Sequence, residues 1–420
     1  MAVNRIGTET SLFLRYDDSA VSHWLSGTMP RKSVRPIILE AFSRRLGRPV
    51  TAAEAGFTTD ADPMKGQTTD TVASLIELAR WDVDPSRRSV LGAALFSVAL
   101  TIPAWPDVLG RSEALAAGKM SRIGYGDVDM VIQMTEKISE LDDLFGGRHA
   151  RPMAASFLVN TVATYLKADG PEDVCKAMHS AASDLCYLTG YMAVDEGLHG
   201  LAQHYYLKAL ELAGAADDHL TYCTTLRGMS VQAVELGHSQ HSLRLADAAA
   251  AASPKAGPRM LAFLTGQQAH AAAQNGDRSN ALAKIKEAER AIDIAESREK
   301  AFGSYDPSSL HYHVSQVRYE LGDITGSIAS MQESDKLRHS VYRRSRVYHL
   351  GMLAERQLKI GHLEAACTTW HTALDDYQLV QSGRCDTRFQ VMQKSLRPYL
   401  KNRHAHELNE RFTQIGKEPT

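Results

Sequence analysis

Three polar residues near the start of the chain have types and spacing that suggest chemistry. Ser19, Ser22 and His23 lie close together in the segment 18–27. Hydroxyl and imidazole groups can hydrogen-bond to the edges of DNA bases, and a short helix fits the major groove. The segment therefore predicts a helix that presents these three side chains to DNA.

The apolar residues of the same segment indicate how that helix is built. Val21, Trp24 and Leu25 recur at the spacing of one helical face. Either of two consecutive aspartates can cap its start, and Gly27 supplies a stop. A turn and a second amphipathic helix follow, so the order is helix, turn, helix.

A basic stretch accompanies this arrangement. Residues 1–50 carry eight Arg or Lys against four acids, a balance compatible with phosphate contact. Arg31, Lys32 and Arg35 are the candidates for phosphate neutralisation. The alternative is a solvated arginine-rich helix, in which His23 is a surface histidine that reads nothing. The supporting core is expected from residues at helical spacing: Val34, Ile37, Ile38, Ala41, Phe42 and Leu46.

Catalytic and metal chemistry find little support. The 17 histidines include no His-Glu-x-x-His pair, and the chain has neither a phosphate-cradling glycine loop nor a nucleophile elbow. The five cysteines have no paired spacing, which argues against a zinc site or a disulfide framework. We expect no enzyme activity, no metal and no cofactor, and a reducing cytoplasm as the compartment.

Bulk properties leave the partner open. The chain of 420 residues has a net charge of −2, so overall electrostatics favour no nucleic-acid or membrane partner. Residues 87–100 combine two arginines with an apolar run, but an export signal belongs near an N-terminus and the run is too short to span a membrane. A buried helix between two domains is expected there.

Five glycines set the register of a repeat in the second half of the chain. Small residues stand seven before, five after and twelve after each glycine, and large apolar residues often stand nine after. The glycines are Gly197, Gly237, Gly276, Gly322 and Gly361. Small side chains let two helices approach closely, and glycine takes the turn between them. The pattern is typical of tetratricopeptide repeats, although the intervals of 40, 39, 46 and 39 residues exceed the usual length of about 34.

A curved stack of such hairpins presents a concave surface formed by the first helix of each pair. Eight residues are predicted on that surface: Tyr187, Tyr191, Arg227, His270, Tyr312, Gln316, Tyr319 and Tyr348. Their aromatic content suits an extended peptide or a protein segment. The alternative is that several tyrosines only pack between neighbouring repeats.

The predicted fold class is all-α. Residues 1–57 form a partial helix-turn-helix domain, and 58–118 hold a linker and connecting helices, among them an amphipathic helix over 71–81. Residues 119–420 form an α-solenoid of tetratricopeptide-like hairpins, beginning with a helix over 127–145. The basic segment 384–411 is expected to be a solvated capping helix, since terminal repeats need polar outer faces.

Four stretches of the chain together resemble actinobacterial transcriptional regulators that join an XRE-type helix-turn-helix to tetratricopeptide repeats. They are GTETSLFLRYDDSAVSHWLSGTMPRK, RRSVLGAAL, DVDMVIQMTEKISELDDLFGGRHARP and GYMAVDEGLHGLAQHYYLKALELA. The resemblance implies a cytoplasmic transcriptional regulator that binds double-stranded DNA as a homodimer. It implies a role in development or antibiotic production. It also implies that the repeats sense or assemble a partner.

The chain departs from that family at its N-terminal domain. An XRE domain needs a helix ahead of the helix-turn-helix pair, whereas residues 2–9 already resemble the first member of the pair. An insertion around residues 12–16 lengthens the turn. A start codon assigned downstream of the native one is one explanation. The rival interpretation is a scaffold that binds proteins through its repeats and does not bind DNA.

Overall fold

The computed structural model confirms the all-α prediction for the residues it describes: 2–9, 14–46, 50, 52, 54–57, 70–84, 122–252, 257–295 and 305–415. Within these ranges no β-strand forms, and the β-type pairing is confined to one isolated bridge between Arg122 and Asp169. The helix expected over residues 87–100 lies outside the described residues.

Three helices form a small N-terminal unit, which we call the head. They are α1 (Ala2–Glu9), α2 (Asp18–Leu25) and α3 (Arg35–Leu46). Asp17 caps α2 by accepting a hydrogen bond from the Ala20 N–H at 3.0 Å, and Gly27 follows the helix with a φ of +103°. Both the cap and the stop of this helix are as predicted. The apolar core of the head consists of Ile6, Val34, Ile37 and Ile38.

Helix α4 (Thr71–Val83) packs against the larger part of the molecule. The Thr71 hydroxyl donates to Glu211 at 2.8 Å, and Asp82 accepts from the buried Arg151 and from the Tyr205 hydroxyl. A helical pair follows, α5 (Tyr125–Phe145) and α6 (Gly147–Phe157), the latter continued by a π-helical turn over Leu158–Val162 and by Ala163–Tyr165.

Five helical hairpins come next, in the register set by the five glycines. They are α7 (Glu172–Asp195) with α8 (His199–Ala216), α9 (His219–Glu235) with α10 (Ser239–Ala251), α11 (Pro258–Gln274) with α12 (Arg278–Asp293), α13 (Pro307–Glu320) with α14 (Ile324–Leu337), and α15 (Arg343–Lys359) with α16 (Leu363–Tyr377). Helices α17 (Gly383–Leu396) and α18 (Arg403–Ile415) complete the chain, with a 3₁₀ turn between them.

Each repeat glycine occupies the left-handed turn between the two helices of its hairpin. Their φ angles run from +74° to +87°, a conformation that strains other residues. In the first hairpin, the Gly197 N–H donates to the Val194 carbonyl and the Leu198 N–H to the Ala193 carbonyl. This closes the end of the helix as a Schellman motif does, which explains why glycine recurs there.

The small residues lie where the two helices of a hairpin approach most closely. The Ser230 hydroxyl donates to the Ser242 carbonyl at 2.8 Å, and the Ser315 hydroxyl to the Ser327 carbonyl at 2.6 Å. The large apolar residues nine after the glycines are buried, with Trp370 fully enclosed. The predicted hairpin packing is therefore confirmed.

The last hairpin returns to the first, so helices α5 to α17 form a closed ring. The Arg344 guanidinium on α15 donates to Asp142 on α5 at 2.9 Å and lies 3.5 Å from Asp195 on α7. The Ser382 hydroxyl donates to Asp195 at 2.8 Å, and the Gln381 N–H donates to the Phe145 carbonyl. Circular closure is a feature that the repeat pattern alone does not predict.

The expectation that residues 384–411 form a solvated cap is wrong at the start of that segment. Arg384 pairs with Glu235 across the ring, and Arg388 pairs with Glu355 at 2.9 Å. Farther along, Arg403 remains 83% exposed, as a solvated helix requires. No described helix combines the length and apolar character needed to cross a membrane.

Candidate functional site

The ring encloses a cavity of about 510 Å³. Helix α5 and all five first helices of the hairpins contribute to its wall, together with residues before α13 and α15 and at the start of α17. The second helices α8, α10, α12, α14 and α16 contribute no lining residue. The first helices therefore face inward, as the repeat register predicts.

All eight residues predicted on the concave surface line this one cavity: Tyr187, Tyr191, Arg227, His270, Tyr312, Gln316, Tyr319 and Tyr348. Their part in binding a ligand remains a prediction. Packing between repeats also occurs, because the Tyr187 ring lies 5.9 Å from Tyr206 and 6.4 Å from Tyr191, and Tyr187 is only 7% exposed. For this residue both interpretations apply.

Aromatic and imidazole rings form a continuous wall on one side of the cavity. Tyr305 lies 6.0 Å from Phe263 and 5.4 Å from His313, measured between ring centroids. Tyr312 stacks on His349 at 4.2 Å with an interplanar angle of 13°. Gly266 makes room for this wall, because a Cβ there would overlap the Tyr305 hydroxyl. The wall offers flat surfaces for a planar ligand group.

Six arginines line the cavity, and three of them are held by carboxylates. Arg344 bonds to Asp142 and Asp143, whereas Arg384 and Arg388 pair with Glu235 and Glu355. Burial raises the pKa of Asp142 to about 7 despite the opposing effect of Arg344. These pairs link separate helices of the ring and engage five of the seven carboxylates that line the cavity.

The other three arginines have no carboxylate within ion-pair distance among the residues that the structure describes. Arg227 lies over the Phe263 ring at 4.3 Å and donates to His313 at 3.4 Å. Arg356 donates to Ser315, Ser327 and Gln316 and lies over the Tyr319 ring at 4.4 Å. Arg338 donates to Ser334 and to His349. Burial lowers the pKa of Arg356 to about 10.

Burial also controls the protonation of the other polar groups in the wall. It lowers the pKa of His270 to about 3 and that of His313 and His349 well below the ordinary value, with nearby arginines adding to the effect. These imidazoles are neutral near pH 7. Burial alone would raise the pKa of Tyr191, but Arg344 and Arg384 outweigh it and keep that pKa below its usual value.

Several lining residues were missed by sequence reasoning although the repeat register contains them. His313 stands nine residues before Gly322, and Gln267 stands nine before Gly276. Glu355 stands six before Gly361, the same offset as Tyr191, His270 and Gln316 from their own glycines. By contrast, Arg338, Arg384 and Arg388 lie outside the first helices, so the register could not indicate them.

In the head, the three residues predicted to contact bases are exposed on α2. Ser19, Ser22 and His23 all face solvent, and the Ser22 hydroxyl donates to the Asp18 carbonyl at 3.0 Å. Arg31 and Lys32 are exposed just before α3. Arg35 is half-buried, and its Nε donates to the Pro30 carbonyl at 3.0 Å. One donor of its guanidinium group is therefore bonded within the protein and does not face a phosphate.

The expected core of the head is only partly formed. Val34, Ile37 and Ile38 are buried as predicted, but Phe42 is 46% and Leu46 59% exposed, and Ala41 is half-buried. On α2, Leu25 is 84% exposed, whereas Val21 and Trp24 are half-buried. The prediction that Phe42 and Leu46 support the core is wrong, because among the described residues nothing covers that side of α3.

Two further features bear on the chemistry of the molecule. The described residues hold no group of three or more His, Cys, Asp or Glu side chains that could ligate a metal ion. All five cysteines are free, and Cys186, Cys223, Cys367 and Cys385 are buried.

Comparison with known proteins identifies a relationship for the N-terminal part of the chain. Residues 1–58 match the family described as SP15 N-terminal domain. No curated protein and no solved structure matches the chain. The match thus covers the head and ends before α4, and the ring has no counterpart among the proteins compared.

Proposed function

We propose that the protein is a cytoplasmic DNA-binding transcriptional regulator, of the developmental or secondary-metabolism type, whose ring senses a peptide or protein segment. The observation that carries the sensing part of the proposal is the convergence of all eight predicted concave residues on one cavity. Its volume of about 510 Å³ lies within the ordinary range for small-ligand sites, roughly 300–1,000 Å³. A short peptide, or the end of a longer one, is therefore the size of ligand expected.

Three features of the head support DNA as the other partner. Helix α2 is short and exposed, Ser19, Ser22 and His23 project from it into solvent, and Arg31 and Lys32 are exposed nearby. Base-edge contacts by the three α2 residues would give specificity, and contacts by the basic residues would give salt-dependent affinity. The family match to residues 1–58 alone supports treating the head as a separate module.

We further propose that the regulator acts as a homodimer, because helix-turn-helix proteins reach adequate affinity by placing two heads on two half-sites. A ligand in the ring then acts by shifting the spacing of the two heads, provided it binds the two spacings with different affinity. The free cysteines fit a reducing compartment.

Mapping of DNA fragments bound in cells tests the DNA-binding part of the proposal, followed by affinity measurements on a recovered fragment. His23→Ala is expected to lower specific affinity by about 5-fold to 150-fold, the usual range for a lost base contact. Arg31→Ala should weaken binding to all sequences and reduce the slope of log affinity against log salt by about 1. If the protein retains promoter fragments no better than it retains random DNA, the DNA-binding part of the proposal is contradicted.

The sensing part has its own test. Tyr191→Ala and Tyr312→Ala are expected to uncouple the ligand from DNA affinity while α2 stays intact. Tyr399→Ala is the matched control, because Tyr399 is 41% exposed and does not line the cavity. Unchanged coupling in both cavity variants would count against the cavity as the sensor.

A protein scaffold without DNA binding is the competing function, and one observation favours it. The head exposes four large apolar residues, Leu25, Met29, Phe42 and Leu46, and exposed apolar surface on a small unit is a feature of protein contacts. If substitutions at these residues abolish binding of a partner protein while DNA affinity stays at the background level, the scaffold is the better description.

A further inference from the structure

One side of the cavity carries three arginines without a direct ion pair. Arg227, Arg338 and Arg356 have no ion-pair partner among the described residues, and the Nε atoms of Arg227 and Arg338 are buried without a hydrogen-bond acceptor. Guanidinium groups only donate, and a buried donor without an acceptor is costly. This side of the cavity therefore lacks an anionic acceptor that a ligand could supply.

Tyr312 lies near all three arginines and interacts electrostatically with each of them. One intervening side chain separates it from each of them. Toward Arg227 this is His313, whose ring lies 5.4 Å from that of Tyr312. Toward Arg338 it is His349, which stacks on Tyr312. Toward Arg356 it is Gln316, which donates to the Tyr312 hydroxyl at 3.2 Å. An anion placed beside Tyr312 would thus be attracted by all three arginines, each of which lies one side chain away.

The carboxylates already present make no direct ion pair with these arginines, although Asp306 and Asp335 act on Arg338, and Glu320 on Arg356, from farther away. Five of the lining carboxylates belong to the pairs made by Arg344, Arg384 and Arg388. Asp306 caps α13 by accepting from the Ser309 N–H at 2.8 Å, and Glu320 is exposed to solvent. The imidazoles of His270, His313 and His349 are neutral. The three arginines are thus the cations of the wall that no direct ion pair holds, and two of them have a buried donor without an acceptor.

We propose that the cavity binds an organic carboxylate carried by a planar ring, with the carboxylate beside Tyr312 between Arg227 and Arg356. Arginine forks match a carboxylate with two parallel hydrogen bonds. The planar group would lie against the outer face of the stacked Tyr312 and His349 rings. The inference rests on the proposed function, since it names the chemistry of the ligand for the same cavity. A free aromatic acid and the C-terminal residue of a short peptide share this chemistry.

Titration calorimetry of the full chain with matched probes tests the charge requirement. N-acetyl-tyrosine and N-acetyl-tyrosinamide differ only in the carboxylate, as do the peptide Ala-Ala-Tyr and its C-terminal amide. The acid of at least one pair is expected to bind 10-fold or more tightly than its amide. Binding of the single amino acid derivative points to a free acid, and binding of the peptide alone points to a C-terminus. Both results support the proposal.

Substitution then tests the position of the carboxylate. Arg227→Gln and Arg356→Gln should each reduce the preference for acid over amide to less than 3-fold. Arg346→Gln should retain it, because Arg346 lies on the same helix as Arg356 but pairs with Asp335 and Asp376 and does not line the cavity. Thermal unfolding of each variant checks that the ring is intact. Arg227 makes fewer hydrogen bonds than Arg356, so Arg227→Gln is expected to disturb the ring less.

Three results would overturn the inference: equal binding of acid and amide, no binding of either pair at millimolar concentration, or an unchanged preference in both arginine variants with intact rings. The proposed function fails separately, by absence of specific DNA binding. Equal binding of acid and amide in the cavity, with cavity variants that lose it, would leave the sensing proposal standing and reject only the requirement for a carboxylate.

Discussion

In the ring, the small residues that join the helices of each hairpin are buried, and Trp370 and Tyr206 are fully enclosed between them. In the head, four large apolar residues are buried and four others, Leu25, Met29, Phe42 and Leu46, are between 46% and 84% exposed. The contacts between the hairpins of the ring are thus buried, because each hairpin has a neighbour on both sides, while single apolar residues such as Ile294 and Leu379 stay exposed on its surface. In the head, half of these large apolar residues are exposed, and a unit with so small a core is marginal by itself.

This difference indicates that the ring and the head have different roles. A rigid enclosure can hold a ligand with several fixed side chains, whereas a head with uncovered apolar surface is suited to contact another molecule. The following predictions test whether the two regions differ in solution as they do in the structure.

The largest effect is expected at the closure of the ring. Arg344→Ala leaves Asp142 and Asp195 buried without their cationic partner, and breaking a buried ion pair in this way costs about 3–5 kcal/mol. Chemical denaturation of the full chain measures the loss. Arg346→Ala on the same helix is the control, because its pairs are about one third exposed and contribute roughly 0–1 kcal/mol. Equal losses in both variants would mean that the ring is not closed through Arg344.

The buried histidines of the ring predict a pH dependence. Burial lowers the pKa of His270 to about 3, so below the unfolded value of about 6.5 the unfolded chain binds a proton that the folded chain does not. The stabilisation that neutral His270 contributes is fully present above pH 7 and decreases as the pH falls. Between pH 7 and 5 the loss is about 2 kcal/mol.

His270→Gln should remove that share of the pH dependence. The difference between the variant and the unaltered chain is the quantity to measure, because the raised pKa values of Asp142, Asp143 and Asp184 act in the opposite direction. Identical slopes for the two proteins between pH 7 and 5 would show that His270 is accessible to protons, and that the ring is more open than the structure indicates.

Glycine substitutions compare the two regions directly. Gly276 in the ring and Gly27 in the head have φ angles of +82° and +103°, so alanine is strained at both and costs about 1–2 kcal/mol. Gly276→Ala should lower the main unfolding transition, whereas Gly27→Ala should affect only a separate transition of the head. Gly124→Ala is the control, since Gly124 has a φ of −135° and open space around it. A shared effect on one transition would show that head and ring unfold together.

The smallest effect on stability is expected at the exposed apolar residues of the head. Leu25→Ser together with Leu46→Ser should change the free energy of unfolding by less than about 0.5 kcal/mol, as is usual for exposed positions. Light scattering should instead detect any loss of self-association. A destabilisation above about 1 kcal/mol would mean that these side chains are packed in solution and that the contrast with the ring is smaller than it appears in the structure.

The hairpins of the ring were predictable because their constraints are local. A left-handed turn demands glycine at Gly197, and a close approach of two helices demands small residues at Ser230 and Ser242, twelve positions apart. These demands repeat with each hairpin, so they leave a recurring pattern. The inward direction of Tyr187 and Tyr312 follows from the same register.

Two features were not predictable in that way: the closure of the ring, and which apolar residues of the head are exposed. Arg344 and Asp142 are 202 residues apart, and their pairing occurs once, so it leaves no periodic signal. At Phe42 and Leu46, helical spacing identifies an apolar face but not the surface that would cover it. The base contacts of Ser19, Ser22 and His23 remain predictions, because base recognition depends on the sequence and shape of the DNA as well as on the protein.

The closed path of the hairpins has a consequence for how the molecule comes apart. In an open array of repeats the terminal units fray first, because each has one neighbour. In the ring each hairpin is bounded on both sides, so the first unit to loosen must break two interfaces at once. We therefore expect all the hairpins to become sensitive to proteolysis at the same time. We expect unfolding to begin where the Arg344 contact closes the ring.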